Sequence, residues 1–189
     1  GRFWVGTMQN NISPEATDIE LKESSGNLYC INHDLTFNKF ESGIAVSNTI
    51  VWSPDNTKFY FTDTFSQTIF SYDFDIEKGQ ISNKKEFVKY EKGYPDGSTV
   101  DSEGGLWSCR WGGSSVVRFD SNGKLDEVIE LPVENVTSCT FGGENLDTLF
   151  ITTARWSMTA EQINQNPIAG GLFSVKPGIK GLADNQFGA

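Results

Sequence analysis

The sequence predicts an all-β protein built as a β-propeller, on three observations. Aromatic residues make up 13% of the chain and there are 19 glycines, a balance that favours short strands joined by tight turns. Gly pairs and Asn-Gly steps punctuate those strands at the intervals expected of antiparallel hairpins. The same order of approach loop, inner strand, central strand and alternating strand recurs with a period of roughly 40–50 residues, the mark of propeller blades.

The best-formed unit runs from 94 to 124, YPDGSTVDSEGGLWSCRWGGSSVVRFDSNGK. An approach loop with Pro95-Asp96-Gly97 leads to a strand ending at Asp101 and a Glu103-Gly104-Gly105 turn. A central strand over 106–110, a Gly112-Gly113 turn, an alternating strand over 116–119 and the turn Ser121-Asn122-Gly123 follow. The preceding unit repeats this order from Ser47, with a central strand over 59–63, an alternating strand over 68–74 and an outer strand near 85–89. Downstream, 136–141, 149–153 and 171–175 form a third copy; upstream, 1–7 and 26–31 match a central and an alternating strand. Asn48 and Asp96 lie 48 positions apart, and Asp96 and Thr137 lie 41 apart. A β-sandwich also has short strands at regular spacing, but it does not require loops and strands in the same order each time. One short helix is expected over 159–165, capped by Thr159 and ended before Pro167. The reading is therefore a single propeller domain over 1–189 with about four blade-equivalents. The chain opens as if inside a strand, so blades N-terminal to it are expected.

Charge narrows the partners. Against 15 Lys and Arg stand 25 Asp and Glu, a formal net charge of −10. Nucleic acid is excluded as an expected partner, because no basic cluster is available to displace counterions from phosphates. No apolar run reaches the roughly 18 residues of a membrane-spanning helix, and a cytoplasmic location is the expectation. Cys30, Cys109 and Cys139 are odd in number and strand-borne, which suits buried thiols better than disulfides. One histidine and no Cys-x-x-Cys leave little material for a zinc site.

Propeller blades place equivalent loops at one mouth of a central channel, so Asn48 and Asp96 should face each other there. An Asp carboxylate and an Asn carbonyl are hard oxygen donors suited to a divalent cation. Both are also good turn formers, and Pro-Asp-Gly is a strong turn tripeptide; the residues alone leave the two readings open. His33 reads as a surface turn residue. Glu130 and Glu134 read as a solvated face, and Trp52 and Trp107 as packing between blades. Ser114-Ser115 has no neighbouring base.

These stretches together resemble the gluconolactonase, regucalcin and senescence-marker family of six-bladed propellers. The motifs occur in order across nearly the whole chain: GRFWVGTM, GNLYCI, SNTIVWSPDNTKFYFTDTFSQTIFSYDFD, the unit over 94–124, LPVENVTSCTFGG, LFITTAR and AGGLF. The resemblance implies a metal-dependent lactonase acting on sugar (aldono-) lactones. Its one divalent cation (calcium, zinc, manganese or magnesium) is held by the Asn of an S-N-G motif, here Asn48, by the Asp of a P-D-G motif, here Asp96, and by a Glu that would precede Gly1. It further implies Asp96 as general base, and substrate contact where an acidic residue of some members falls at Asn10 or Asn11. Thr49 replaces the motif glycine, which should tighten the loop around Asn48. Two alternatives accompany this reading: a calcium- or ligand-binding propeller without catalysis, and an inactive fragment that self-associates through exposed blade edges.

Overall fold

The computed structural model describes residues 1–10, 19–20, 22–156 and 158–185. Fourteen strands form four antiparallel sheets in chain order. The first contains β1 (Phe3–Gly6), β2 (Gly26–Ile31) and β3 (Phe37–Ile44). The second contains β4 (Ser47–Trp52), β5 (Lys58–Asp63), β6 (Thr68–Asp75) and β7 (Gln80–Lys89). The third contains β8 (Tyr94–Val100), β9 (Leu106–Trp111), β10 (Ser115–Phe119) and β11 (Leu125–Glu130). The fourth contains β12 (Val136–Gly142), β13 (Thr148–Thr153) and β14 (Leu172–Val175). Every sheet pairs strands adjacent in sequence, so each is one meander, and the segment after β14 returns to the third blade through an Asp101–Gly181 bridge.

Three apolar cores lie between the sheets rather than within one centre, as propeller blades require. Trp4, Leu28, Cys30 and Ile44 of the first sheet meet Phe59, Phe61 and Tyr72 of the second. Tyr60 and Ile69 meet Val100, Leu106, Val117 and Phe119 of the third. Trp107, Cys109 and Val116 meet Val136, Cys139, Phe141, Leu149 and Ile151 of the fourth. The central strand β5 shows how the sequence encodes this. Phe59 and Phe61 face one neighbour and Tyr60 the other, following the two-residue side-chain period of a strand. A strand buried on both faces reads as an unbroken apolar run, as Phe59-Tyr60-Phe61 does at the heart of β5.

Trp52 and Trp107 pack between blades as expected. Trp52 lies against Trp4 and Phe59, and Trp107 meets Phe141 edge-on at 6.1 Å. All three cysteines are buried free thiols, and His33 sits exposed in a turn. The helix α1 (Ala160–Gln165) starts at Thr159 through a reciprocal capping box with Gln162. Two outer strands differ from expectation. Strand β7 is ten residues long instead of five, and β3 was not foreseen. Both are largely exposed, so neither carries the alternation that marks a half-buried strand.

Candidate functional site

Strand β4 packs against β8, and β8 against β12, which places the starts of these inner strands together at one mouth. The pairing of each with its blade partner slips there, between Asn48 and Val51, between Pro95 and Ser98, and between Val136 and Ser138. Such bulges re-aim side chains and recur beside functional sites. Asn48 and Asp96 therefore sit within strands, at the bulges, and not in the loops ahead of them.

The two residues are tied together by threonine hydroxyls. Asn48 Nδ2 donates to Thr64 Oγ1 at 2.8 Å, and Thr64 Oγ1 donates to the Pro95 carbonyl at 2.9 Å. Thr49 Oγ1 donates to the Asp96 carbonyl at 2.9 Å and lies 2.8 Å from Ser98 Oγ. Because the Asn48 amide nitrogen is engaged by Thr64, its oxygen is left as a donor for something else. Asp63 holds the approach to β4 by accepting from the Ala45 and Val46 amides at 3.0 and 3.1 Å. Neither threonine carried a signal beyond the departure from glycine at Thr49.

Asp96 within strand β8 and Asp101 just after it are in opposite situations. Asp101 is fully buried and saturated: it accepts from Arg118 Nε at 2.8 Å, Trp107 Nε1 at 2.7 Å, and the Glu103 and Gly105 amides at 2.9 Å each. Asp96 is half-buried, and its carboxylate has no ion-pair partner among the described residues. Burial pushes its pKa up from the ordinary 3.8 to about 6, opposed only by a hydrogen bond from the Gly97 backbone. Desolvation without a compensating charge is the signature of a functional carboxyl rather than a structural one.

Gly97 is required by the close approach of the next blade, since a Cβ there would stand 2.4 Å from Ser138 Oγ. Ser47 Oγ donates to the Thr7 carbonyl at 3.0 Å, which anchors the loop carrying Asn10 beside β4. Asn10 is exposed in that loop; Asn11 lies outside the described residues. Among the described residues no three His, Cys, Asp or Glu side chains group to hold an ion. Asn48 and Asp96 nevertheless fit a cation as two members of a larger oxygen set: one is an unpaired, half-buried carboxylate, and the other is an amide oxygen left available.

The fold defines a propeller whose inner strands bring Asn48 and Asp96 to one mouth. The model of the SMP-30/gluconolactonase/LRE-like region matches residues 1–155, and the chain belongs to that family, whose propellers have six blades. Regucalcin of Macaca fascicularis is 37% identical over 191 residues, covering 99% of this chain and 62% of that protein. Among solved structures, a calcium-binding protein, regucalcin, from Agrobacterium tumefaciens superposes with a TM-score of 0.87 at 29% identity, over 97% of this chain and 60% of its own. A gluconolactonase from Xanthomonas campestris gives 0.67 at 28% identity, over 80% and 50%. The chain thus spans about three-fifths of the length of its curated relatives.

Proposed function

We propose that this chain supplies the Asn48 and Asp96 arm of a lactonase site that hydrolyses a sugar lactone with a divalent cation. The observation that carries the reading is the unpaired Asp96 carboxylate, raised to about 6 by burial and linked through Thr64 to Asn48. Membership of a family that includes gluconolactonases supports it. A bound cation would supply polarisation of the lactone carbonyl. Asp96 orients a water for attack on the carbonyl carbon and accepts its proton, its position beside that water offsetting the weak basicity of a carboxylate near a cation. The ring oxygen leaves as an alcohol after protonation, giving the open-chain hydroxy acid. Asn48 contributes a neutral oxygen, so the cation keeps more of its positive charge than two carboxylates would leave it. Asn10, exposed in the loop beside β4, and Asn11, outside the described residues, are proposed to contact the substrate.

The test is acid release from a polyhydroxylated δ-lactone, followed at constant pH with the full gene product. Turnover should require added cation and fall at least a hundredfold in Asp96→Asn. Undiminished turnover in that variant would remove Asp96 from the reaction. A second reading, cation binding without hydrolysis, is favoured by the calcium-binding regucalcin relative. It predicts calorimetric cation binding that Asp96→Asn abolishes, with no turnover of any lactone.

A further inference from the structure

Two buried arginines of the third blade have different partners. Arg118 is paired with Asp101 and Asp126. Arg110, on β9, is 1% exposed and has no carboxylate partner among the described residues. Its guanidinium instead collects backbone carbonyls. Nη2 donates to the Tyr90 carbonyl at 2.6 Å and to that of Gly93 at 2.8 Å, and Nε donates to the Lys92 carbonyl at 3.2 Å. The guanidinium also stands 5.2 Å from the centre of the Tyr90 ring. Burying a cation without an anion is costly, and only the planar fork of an arginine offers this many donors to one short segment. All three carbonyls belong to residues 90–93, the link between β7 and β8.

That link joins the blade of Asn48 to the blade of Asp96. It is pinned a second time at Gly93, whose φ is 71° and where a Cβ would stand 2.7 Å from the Gly113 Cα. The residues it delivers are Tyr94 and Pro95. Pro95 is paired with Arg110 in the β8–β9 ladder, and the bulge that holds Asp96 starts there. The Pro95 carbonyl accepts from Thr64 Oγ1, which itself accepts from Asn48 Nδ2. A displaced link therefore moves the bulge that aims Asp96 and the Thr64 contact that orients Asn48. Arg110 acts on both donors through the backbone.

We propose that Arg110 is a positioning residue of the cation site, holding the 90–93 link so that Asp96 stands across from Asn48. The proposal rests on the reading of those two residues as cation donors, and its test does not need turnover. The full gene product is titrated calorimetrically with calcium, magnesium, manganese and zinc chlorides singly. The tightest-bound ion is then used for the variants, at a temperature where each is folded. Arg110→Gln, which removes the fork, should weaken binding at least tenfold. Arg110→Lys, which keeps the charge but not the fork, should weaken it three- to tenfold. Gly93→Ala disturbs the same link without touching the buried charge, and should weaken it at least threefold. Trp107→Phe lies on the same strand but bonds to Asp101 instead of the link; it controls for general loss of stability and should bind within twofold of wild type. Wild-type affinity in folded Arg110→Lys and Gly93→Ala would overturn the proposal, as would an equal loss in Trp107→Phe. Absence of cation binding by the wild type would overturn it together with the pairing of Asn48 and Asp96. If cation binding follows this pattern while no lactone is turned over, the hydrolysis reading falls and the positioning role stands.

Discussion

Thr49 Oγ1 donates to the backbone carbonyl of Asp96 at 2.9 Å, so one blade steadies the carboxylate-bearing strand of the next. The residue that makes this bond is in an unfavourable conformation. Its φ of 49° lies in the left-handed region, where a β-branched residue is strained. The strain persists because the side chain is 2% exposed and its hydroxyl is doubly engaged, with Asp96 and Ser98. The hydroxyl bonds of Thr49 thus run across the blade interface to Asp96 and Ser98.

Replacing that hydroxyl separates the two effects. Thr49→Val keeps the strained shape and loses both bonds, and should destabilise by about 1–3 kcal/mol while weakening cation binding. Thr49→Gly relieves the backbone strain, worth roughly 1–2 kcal/mol, and should leave stability nearly unchanged, yet still weaken the cation. Denaturant melts and calorimetry on the same samples read both quantities. Full cation affinity in both variants would show that the bond is incidental to the site.

Asp96 should make the cation-free protein less stable as pH rises. Its folded pKa of about 6 exceeds the ordinary 3.8, so the folded state favours the protonated form. The contribution is best below about pH 4, is lost between about 4 and 6, and stays lost above. A difference of about two pKa units is on the order of 3 kcal/mol. In the presence of chelator, Asp96→Asn should therefore melt several degrees above wild type at pH 8 and close to it at pH 4. A gap that does not vary with pH would mean that the carboxyl is not desolvated.

Asp101 should behave in the opposite way. Asp101→Asn leaves Arg118 paired with Asp126 but facing a neutral amide, disturbs four donors, and should cost about 1–3 kcal/mol. Trp107→Phe removes only the indole donor at 2.7 Å and should cost about 1–3 kcal/mol. Both losses should appear at any cation concentration. A stability loss that cation restores would instead place Asp101 in the site.

Gly97 tests the spacing between the third and fourth blades. Gly97→Ala drives a methyl to within 2.4 Å of Ser138 Oγ and should cost about 1–3 kcal/mol as overpacking. Ser138→Gly in the same molecule should recover only part of it, because the Ser138 Cα also lies 2.9 Å from the added methyl, with a coupling energy above 0.5 kcal/mol in a double-mutant cycle. Additive effects would show that the clash is absorbed elsewhere.

The sequence by itself determined the blades. Their central strands alternate between two buried faces, as in Phe59, Tyr60 and Phe61, and Gly-rich turns punctuate them at a constant period. That information is local and survives in a one-dimensional reading. It also named Asn48 and Asp96, although their chemistry as residues is equally that of turn formers. It did not reveal β3, because an exposed outer strand has no face to hide. Only the tertiary structure decided between Asp96 on β8 and Asp101 just beyond it. Asp101 is paired with Arg118 and accepts from the Trp107 indole, while Asp96, five residues earlier, is half-buried with no ion-pair partner among the described residues. Desolvation and pairing depend on atoms supplied by other strands and blades, so no spacing along the chain encodes them. The same holds for Thr64 and Thr49, whose bonds exist only where two blades meet.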